Sequence, residues 1–489
     1  MKRLFSLRVL VWTLASLATL YVLAVTLENW TGARALAAAK EKVANEGESL
    51  DFMALVPPLP SEAENFCAIE PLAGLTNPKN EPAQALKALD WTKLQVGGLN
   101  SIQLAQAPDL KPWIQHLAKN GIGKADATPA EMLAALDAAH PMLKMLADAA
   151  PQRRAAQFTP RLGDGLQEMS FFELPMPHYN HAQRLAKALL LRCNLAIAAG
   201  NAAEAVRCIQ ASLRLAHGCF QDPVLIGLLV GSTIHATTMD RVWALLHARI
   251  ATDAELNILR DELTRLDLPG SMLHAMRGEL AGAAQTFEML KGRPEMRSGM
   301  FGLVTDSGPK PGDPQPWSAR LLNLVIPSGL FDHSEALLIQ QELDLLIVPM
   351  KQGGYVKLSP KLKILDASIS EHRRLTNPHG WLVGLVLPTY NSIVRGVSES
   401  ETRRRQALAA LAIESFRLAK GSPPESLPAG ILDVIDEKPM RYRVEGGGYV
   451  LWSIAHDEED DGGKLPGKDE KVRDAKFTGD WVWRMPTGN

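Results

Sequence analysis

The stretch LAIAAGNAAEAVRCIQASLRLA, residues 195–216, decides the fold class. Leu185, Leu189, Cys193 and Ile197 recur every four residues, Gly200-Asn201 interrupts the pattern, and Ala203 to Ala216 resumes it. Apolar residues at this spacing line one face of a helix, and a Gly-Asn pair is a frequent stop. The stretch reads as two helices folded on a tight turn. Similar Ala/Leu-rich segments, separated by short Gly, Pro or Asn breaks, run from about Asp109 to Asp267.

With Glu204-Ala205 placed just after the glycine turn, the stretch resembles one tetratricopeptide-like helical hairpin. A shift by the repeat length of about 34 residues finds no second copy, and such solenoids need about three or more repeats to bury their faces. An irregular all-helical middle domain is therefore expected over 67–389, with a Gly/Pro-rich excursion near 292–330 (GRPEMRSGMFGLVTDSGPKPGDPQPW begins it). Helical pattern resumes from Ser334 to Met350, and Gly353-Gly354 marks a turn. WLVGLVLP, residues 381–388, is too short to cross a bilayer as a helix and is expected to be buried against another segment.

The N-terminus carries the clearest signal of place. Lys2, Arg3 and Arg8, a cytoplasmic basic tip over 1–8, precede an uncharged run from Val9 to Leu27 that ends at Glu28. As a helix this run crosses a hydrocarbon core of about 30 Å, and the basic residues before it stay on the cytoplasmic side. Residues 9–27 are thus a transmembrane anchor in the bacterial inner membrane, passed once, with the body extracytoplasmic. A cleaved signal peptide ending near Val22-Leu23-Ala24 is the rival reading, although the run exceeds the usual signal core. Residues 28–66 read as a helical extension, stopped near Gly47, and a proline-rich spacer (Val56-Pro57-Pro58-Leu59-Pro60) that holds the body off the bilayer.

The 489 residues suggest two or three domains, and 46% hydrophobic with 22% charged residues is ordinary globular usage. Lys plus Arg (52) nearly cancels Asp plus Glu (54), so nucleic acid is not an expected partner. Four cysteines, Cys67, Cys193, Cys208 and Cys219, supply no disulfide framework. Cys193 and Cys208 flank the Gly200 turn and could face each other across the hairpin; burial as small apolar residues explains them equally well.

A C-terminal module is expected over 390–489. Leu408, Leu411, Ala412, Phe416 and Ala419 fall on one face of a helix that Gly421 ends and Pro423-Pro424 keeps from continuing. Met440, Tyr442 and Val444 then alternate with Arg441 and Arg443, glycines 446–448 turn the chain, Tyr449 to Ile454 returns, and Trp481-Val482-Trp483 closes the sheet. FRLAKGSPPESL (416–427), MRYRVEGGGYVLWSIAHDEEDDGG (440–463) and DWVWRMP (480–486) resemble the C-terminal module of uncharacterised membrane-anchored bacterial envelope proteins. That module is similar in turn to the globular part of the major pseudopilins of type II secretion. ENW (28–30) and VPPLPSEAENF (56–66) resemble the same envelope proteins. The sequence departs from true pseudopilins in lacking the Gly-Phe and glutamate processing signature at the head of the apolar helix, and in placing 362 residues (28–389) before the module. The resemblance therefore implies a borrowed fold, not a pilin subunit.

The resemblance also implies calcium in the acidic loop, with Asp457, Asp460 and Asp461 as ligands and Asp480 as a more distant one. Calcium takes six to eight oxygens, which clustered aspartates on a glycine-permitted bend can help supply. An EF-hand is not the template, because its twelfth position counted from Asp457 falls on Lys468. A solvated acidic turn, relieved by water, Lys464 and Lys468, is the competing reading.

Other constellations point less far. His178 and His181 form an HxxH without an acidic partner at metal-ligand spacing, and Asp332-His333-Ser334-Glu335 reads as a helix N-cap by Asp332 or Ser334. GxSxG, HExxH and a phosphate-binding glycine loop are absent from the sequence. The expected fold is mainly α: a transmembrane helix, an irregular, weakly tetratricopeptide-like helical domain, and a small α+β pseudopilin-like module. Expected partners are the membrane, through the N-terminal helix, and an envelope protein. A non-catalytic binding or scaffold component is the leading expectation; an exported hydrolase with a site between helices, or an accessory component of a secretion or pilus-like apparatus, are the alternatives.

Overall fold

The computed structural model describes residues 2–76, 86, 89, 109–158, 171, 174–293, 326–372, 377–387, 390–428, 430–464 and 479–486. Most of the excursion expected near 292–330 lies outside the described residues, as does Lys468.

Helix α1 (Lys2–Asn45) is one uninterrupted element, about 66 Å long at about 1.5 Å per residue. Its two halves meet different surroundings. Over Val9 to Leu27 the side chains stand clear of the body, Trp12 at 73% exposed and Leu20 at 62%, so the helix is long and apolar enough to span a membrane. The hydroxyls within this half are satisfied locally: Thr13, Thr19 and Thr26 each donate to the carbonyl four residues back. A polar group without water for a partner needs such a bond.

Beyond Leu27 the same helix turns a narrow stripe inward. Gly32, Leu36, Ala39 and Val43 are buried at alternating four- and three-residue spacing, the seam geometry of close helix pairing. They pack on α11 (Ser328–Glu342). A Cβ built on Gly32 would sit 2.7 Å from the Gly329 carbonyl oxygen, so the helices cross where both lack side chains. Gly47, at φ +70°, ends α1 where the sequence places the stop.

The proline-rich run does not act as a spacer. Asp51 caps the short helix α2 (Phe52–Leu55), Phe52 and Phe66 are buried, and Gln157 Nε2 donates to the Pro57 carbonyl at 2.8 Å. Its apolar residues have more to gain from the body's core than from extended exposure. The segment lies along the body, and α1 itself makes the junction.

The body is a stack of helices: α3 (Lys111–Lys119), α4 (Pro129–Ala139), α5 (Pro141–Ala149), α6 (His178–Ala198), α7 (Ala202–Phe220), α8 (Leu225–Ala248), α9 (Asp253–Thr264) and α10 (Leu268–Gly292). α6 and α7 form the hairpin read from residues 195–216, with Gly200 at φ +75° in the turn and Asn201 capping α7 through the Glu204 amide. Leu185, Leu189 and Cys193 are fully buried. Charged side chains also cross the interior, in pairs: Arg192 forks onto Asp137 at 2.7 and 2.9 Å, and Arg214 onto Glu262 at 2.7 and 2.8 Å. Bidentate pairing of this kind satisfies both partners away from water.

After α11 the chain passes through a π turn (Leu343–Ile347) into α12 (Val348–His372), which Gly353 and Gly354 break with non-helical dihedrals where the sequence places a turn. α13 (Pro378–Val386) holds the apolar WLVGLV run, with Leu382 and Val383 buried against α11 and α12.

α14 (Tyr390–Lys420) leads into an antiparallel sheet of order β1 (Arg441–Glu445), β2 (Gly448–Ser453), β3 (Trp481–Met485). Gly446 and Gly447, both at positive φ, make the two-residue hairpin between the Glu445–Gly448 pair. β2 is buried along its whole length, whereas β1 is the edge, with Val444 42% exposed. The face expected on α14 needs correction. Ala407, Ala410, Leu411 and Ile413 are buried, but Phe416 and Ala419 are exposed. α14 is packed between α8, α9 and the sheet, so it is covered on several sides up to Glu414 and its last turn protrudes. Leu411, Tyr449, Leu451 and Trp483 share one core with Trp243, Leu256 and Cys208 of the body.

Candidate functional site

The acidic loop follows β2. His456, in the turn Ala455–Asp457, is drawn away from the carboxylates: its Nδ1 lies 2.6 Å from the Tyr355 hydroxyl and its ring stands edge-on to Trp481. Burial pushes its pKa down to about 4, so it is neutral at pH 7 and belongs to the packing of the sheet on α12.

The four aspartates divide. Asp460 Oδ1 accepts from Trp452 Nε1 at 2.8 Å and from the Gly462 amide at 3.0 Å, while Oδ2 faces Arg441 Nε at 3.3 Å. Burial alone would raise its carboxyl, but these donors hold it below the usual range. Arg441 also grips Asp433 at 2.6 Å and Asp436 at 2.7 Å, so a guanidinium already neutralises this side of the loop. The other three gather around residues 479–480. Asp457 Oδ2 accepts the Gly479 amide at 2.6 Å, and Asp461 is exposed with Oδ2 3.7 Å from where a Gly479 Cβ would stand. Asp480 is fully buried and accepts the Gly463 amide at 2.7 Å. Burial pushes its carboxyl up to about 6, and nearby Asp460 and Asp461 add to the shift. Gly462 and Gly463, both at positive φ, allow the bend, and a Cβ on Gly463 would meet the Trp452 ring at 2.9 Å.

A second constellation went unnoticed in the sequence because Glu28 stands more than 300 residues before the two histidines it meets. Where α1 leaves its apolar half, Glu28 Oε1 lies 2.7 Å from His379 Nε2, and Thr31 Oγ1 lies 3.1 Å from His333 Nε2. The two imidazoles are 4.6 Å apart between centroids. One ligand atom from each of Glu28, His333 and His379 lies within 4.8 Å of the others, the only such group of three among the described residues. All three side chains are half-buried. The single sequence signal was His333 within the Asp-His-Ser-Glu run. That run does not cap a helix: α11 begins at Ser328, four residues before it, Asp332 takes Lys291 Nζ at 2.6 Å, and Ser334 donates to the Leu330 and His379 carbonyls.

The HxxH pair separates too. His178 is buried and paired with Asp222 at 2.9 Å, an oxygen that also accepts from Tyr179 at 2.8 Å, whereas His181 points elsewhere, half-buried. Asp222 lies 44 residues beyond His178, out of reach of any local motif. His235 and Ser400, 2.8 Å apart, are likewise sealed in the core. All four cysteines are free and buried; Cys208 Sγ accepts from Arg192 Nη1 and Cys193 donates to the Ala205 carbonyl.

Fold and sites together define a mainly helical protein carried on a long apolar N-terminal helix, with a small three-stranded sheet at its C-terminal end. Comparison with family models, curated proteins and solved structures gives no match.

Proposed function

We propose that the chain is a single-pass inner-membrane protein whose extracytoplasmic body is a non-catalytic scaffold or binding component of the bacterial envelope, presenting its helical stack and pseudopilin-like module to an envelope protein partner. The observation that carries this reading is the continuity of α1. One helix supplies both the apolar membrane-length half and the seam against α11, which supports a body held close to the membrane without a flexible tether. Lys2, Arg3 and Arg8 favour a cytoplasmic N-terminus. Trp30, 57% exposed with Arg34 stacked 4.8 Å over its ring, suits the interfacial belt just beyond Leu27.

The scaffold reading is supported by where the reactive residue types sit. His178–Asp222–Tyr179 and His235–Ser400 are buried and each group is bonded within itself, so they tie segments of the body together. Calcium in the acidic loop belongs to the same proposal, with Asp457, Asp460 and Asp461 as ligands and Asp480 as a more distant one; binding would have to draw these carboxylates together, since no three of them lie within 4.8 Å of one another, and Asp460 would have to leave Arg441.

The test is alkaline extraction of membranes carrying the full chain, followed by protease treatment of intact spheroplasts and of inverted vesicles. Retention in the membrane, with the body digested only from the outer side, supports the proposal. Release into the soluble fraction, or digestion only in inverted vesicles, contradicts it.

A further inference from the structure

We propose that Glu28, His333 and His379 form a binding site for a divalent transition metal of the zinc class, which staples the anchor helix to the body. Three separate elements converge there: α1 through Glu28 and Thr31, α11 through His333, and the first turn of α13 through His379. Convergence of two imidazole nitrogens and one carboxylate oxygen from distant positions has no role in local folding. It is the donor set that favours borderline ions such as Zn²⁺ or Co²⁺ over the hard Ca²⁺ and Mg²⁺, which take oxygen ligands.

The spacing suits such an ion. Ligand atoms about 2.0–2.1 Å from a tetrahedral ion stand about 3.3 Å apart. The Glu28–His379 separation of 2.7 Å must open by only about 0.6 Å to admit it, within side-chain freedom of the fixed backbone. The backbone positions are held independently of the ligands. Gly32 and Gly329 fix the crossing of α1 and α11, Asn29 accepts the Gly329 amide at 2.7 Å, and Ser334 holds the His379 carbonyl at 3.0 Å. A site whose supporting residues are already bonded is preorganised.

The proton between His379 Nε2 and Glu28 Oε1 gives way to the metal: a neutral imidazole ligates through Nε2 with its one proton moved to Nδ1 by exchange with solvent, so the ring stays neutral and no net proton is lost from it. His333 Nε2 likewise exchanges its bond to Thr31 Oγ1 for the ion, leaving the threonine hydroxyl beside the coordination shell. Three protein ligands leave a fourth position, and the half-buried surroundings give water access to it. Glu28 lies one residue beyond Leu27, where the uncharged run of α1 ends, and the site is independent of which side the body occupies.

The experiment uses the untagged full chain in detergent, stripped with chelator and titrated with Co²⁺ and then Zn²⁺. One cobalt per chain with the visible bands of a low-coordinate ion, bleached by zinc, is expected. His333→Ala, His379→Ala and Glu28→Gln should each weaken zinc binding by about 100-fold or more, beyond the loss typical of outer-shell substitutions. No bands, or bands that survive all three substitutions in folded protein, overturn the proposal. If a histidine variant does not fold, X-ray absorption of the zinc-loaded wild type decides: two imidazoles with oxygen are expected, and a shell with sulfur or without imidazole contradicts the assignment.

Discussion

Asn29 Oδ1 accepts the backbone amide of Gly329 at 2.7 Å and the Ser328 hydroxyl at 3.1 Å, so a residue of the long N-terminal helix caps a helix of the body 300 residues away. The first amides of a helix lack intrahelical partners, and Pro327 at the N-cap position of α11 offers no side-chain acceptor. Asn29→Ala should therefore lower the unfolding free energy by about 1 kcal/mol, while Asn29→Asp should retain most of it. Denaturant unfolding of the full chain in detergent reads this directly; an unchanged midpoint for Asn29→Ala would show that the cap carries no stability.

The crossing of α1 and α11 depends on the absence of side chains. Gly32→Leu must push against the Gly329 backbone, since even a Cβ would sit 2.7 Å from its oxygen. Overpacking at a rigid contact costs about 1–3 kcal/mol. Ala37→Leu, on the exposed face of the same helix, should shift the same thermal melt little. Equal effects from both substitutions would argue that no tight seam exists.

Stability should fall as pH rises above neutrality. Burial raises Glu342 to about 8, beside Tyr390 and Glu279, and raises Glu279 and Glu335 to about 7. Folded pKa values above the unfolded one mean stability that is complete below about pH 4.3 and lost as pH rises through 7 and 8. Burial lowers His217 and His456 to about 4 and His235 to about 3, so their share is present above about pH 6.5 and lost as pH falls toward 4. Below about pH 6.5 the two sets oppose each other, so melts between pH 5 and pH 9 should show chiefly the alkaline limb, which Glu342→Gln should flatten. A variant curve parallel to that of wild type at high pH would remove Glu342 as its source.

Calcium in the loop predicts a calcium-specific rise in melting temperature relative to EDTA. At a hundredfold excess over Kd the stabilisation is about 2.7 kcal/mol. Asp457→Ala and Asp461→Ala should abolish the rise. Asp460→Ala should lower the baseline by freeing Arg441 and Trp452 and also weaken the calcium response. Superimposable curves with calcium and EDTA would leave the loop as an acidic turn closed by Arg441.

What could be read from the chain follows from which interactions are local. The α6–α7 hairpin, the stop at Gly47, the Gly353-Gly354 break and the β1–β2 turn are each written in a few neighbouring residues, and each stands where the pattern placed it. The seam of α1 was present as Gly32, Leu36, Ala39 and Val43, but its alanines and charges masked a spacing that gains meaning only opposite α11. The spacer expectation failed for the related reason that proline density describes backbone stiffness and not what Phe52 and Phe66 bury against. Asp222 beside His178, and Glu28 beside His379, join residues 44 and 351 positions apart, pairings that no local motif encodes. Phe416 and Ala419 were assigned inward because a helical face can be drawn from periodicity, whereas the length over which it is covered depends on the neighbouring elements.

In the proposed anchored protein the apolar half of α1 and the body move as one unit, and hydrogen exchange on the full chain in lipid nanodiscs tests this most directly. Amides of residues 32–45 should exchange as slowly as those of α11 and open together with them, since both line one buried seam. Rapid exchange across 32–45 while α11 stays protected would contradict the account, because the body would then hang from the membrane on a loose helix.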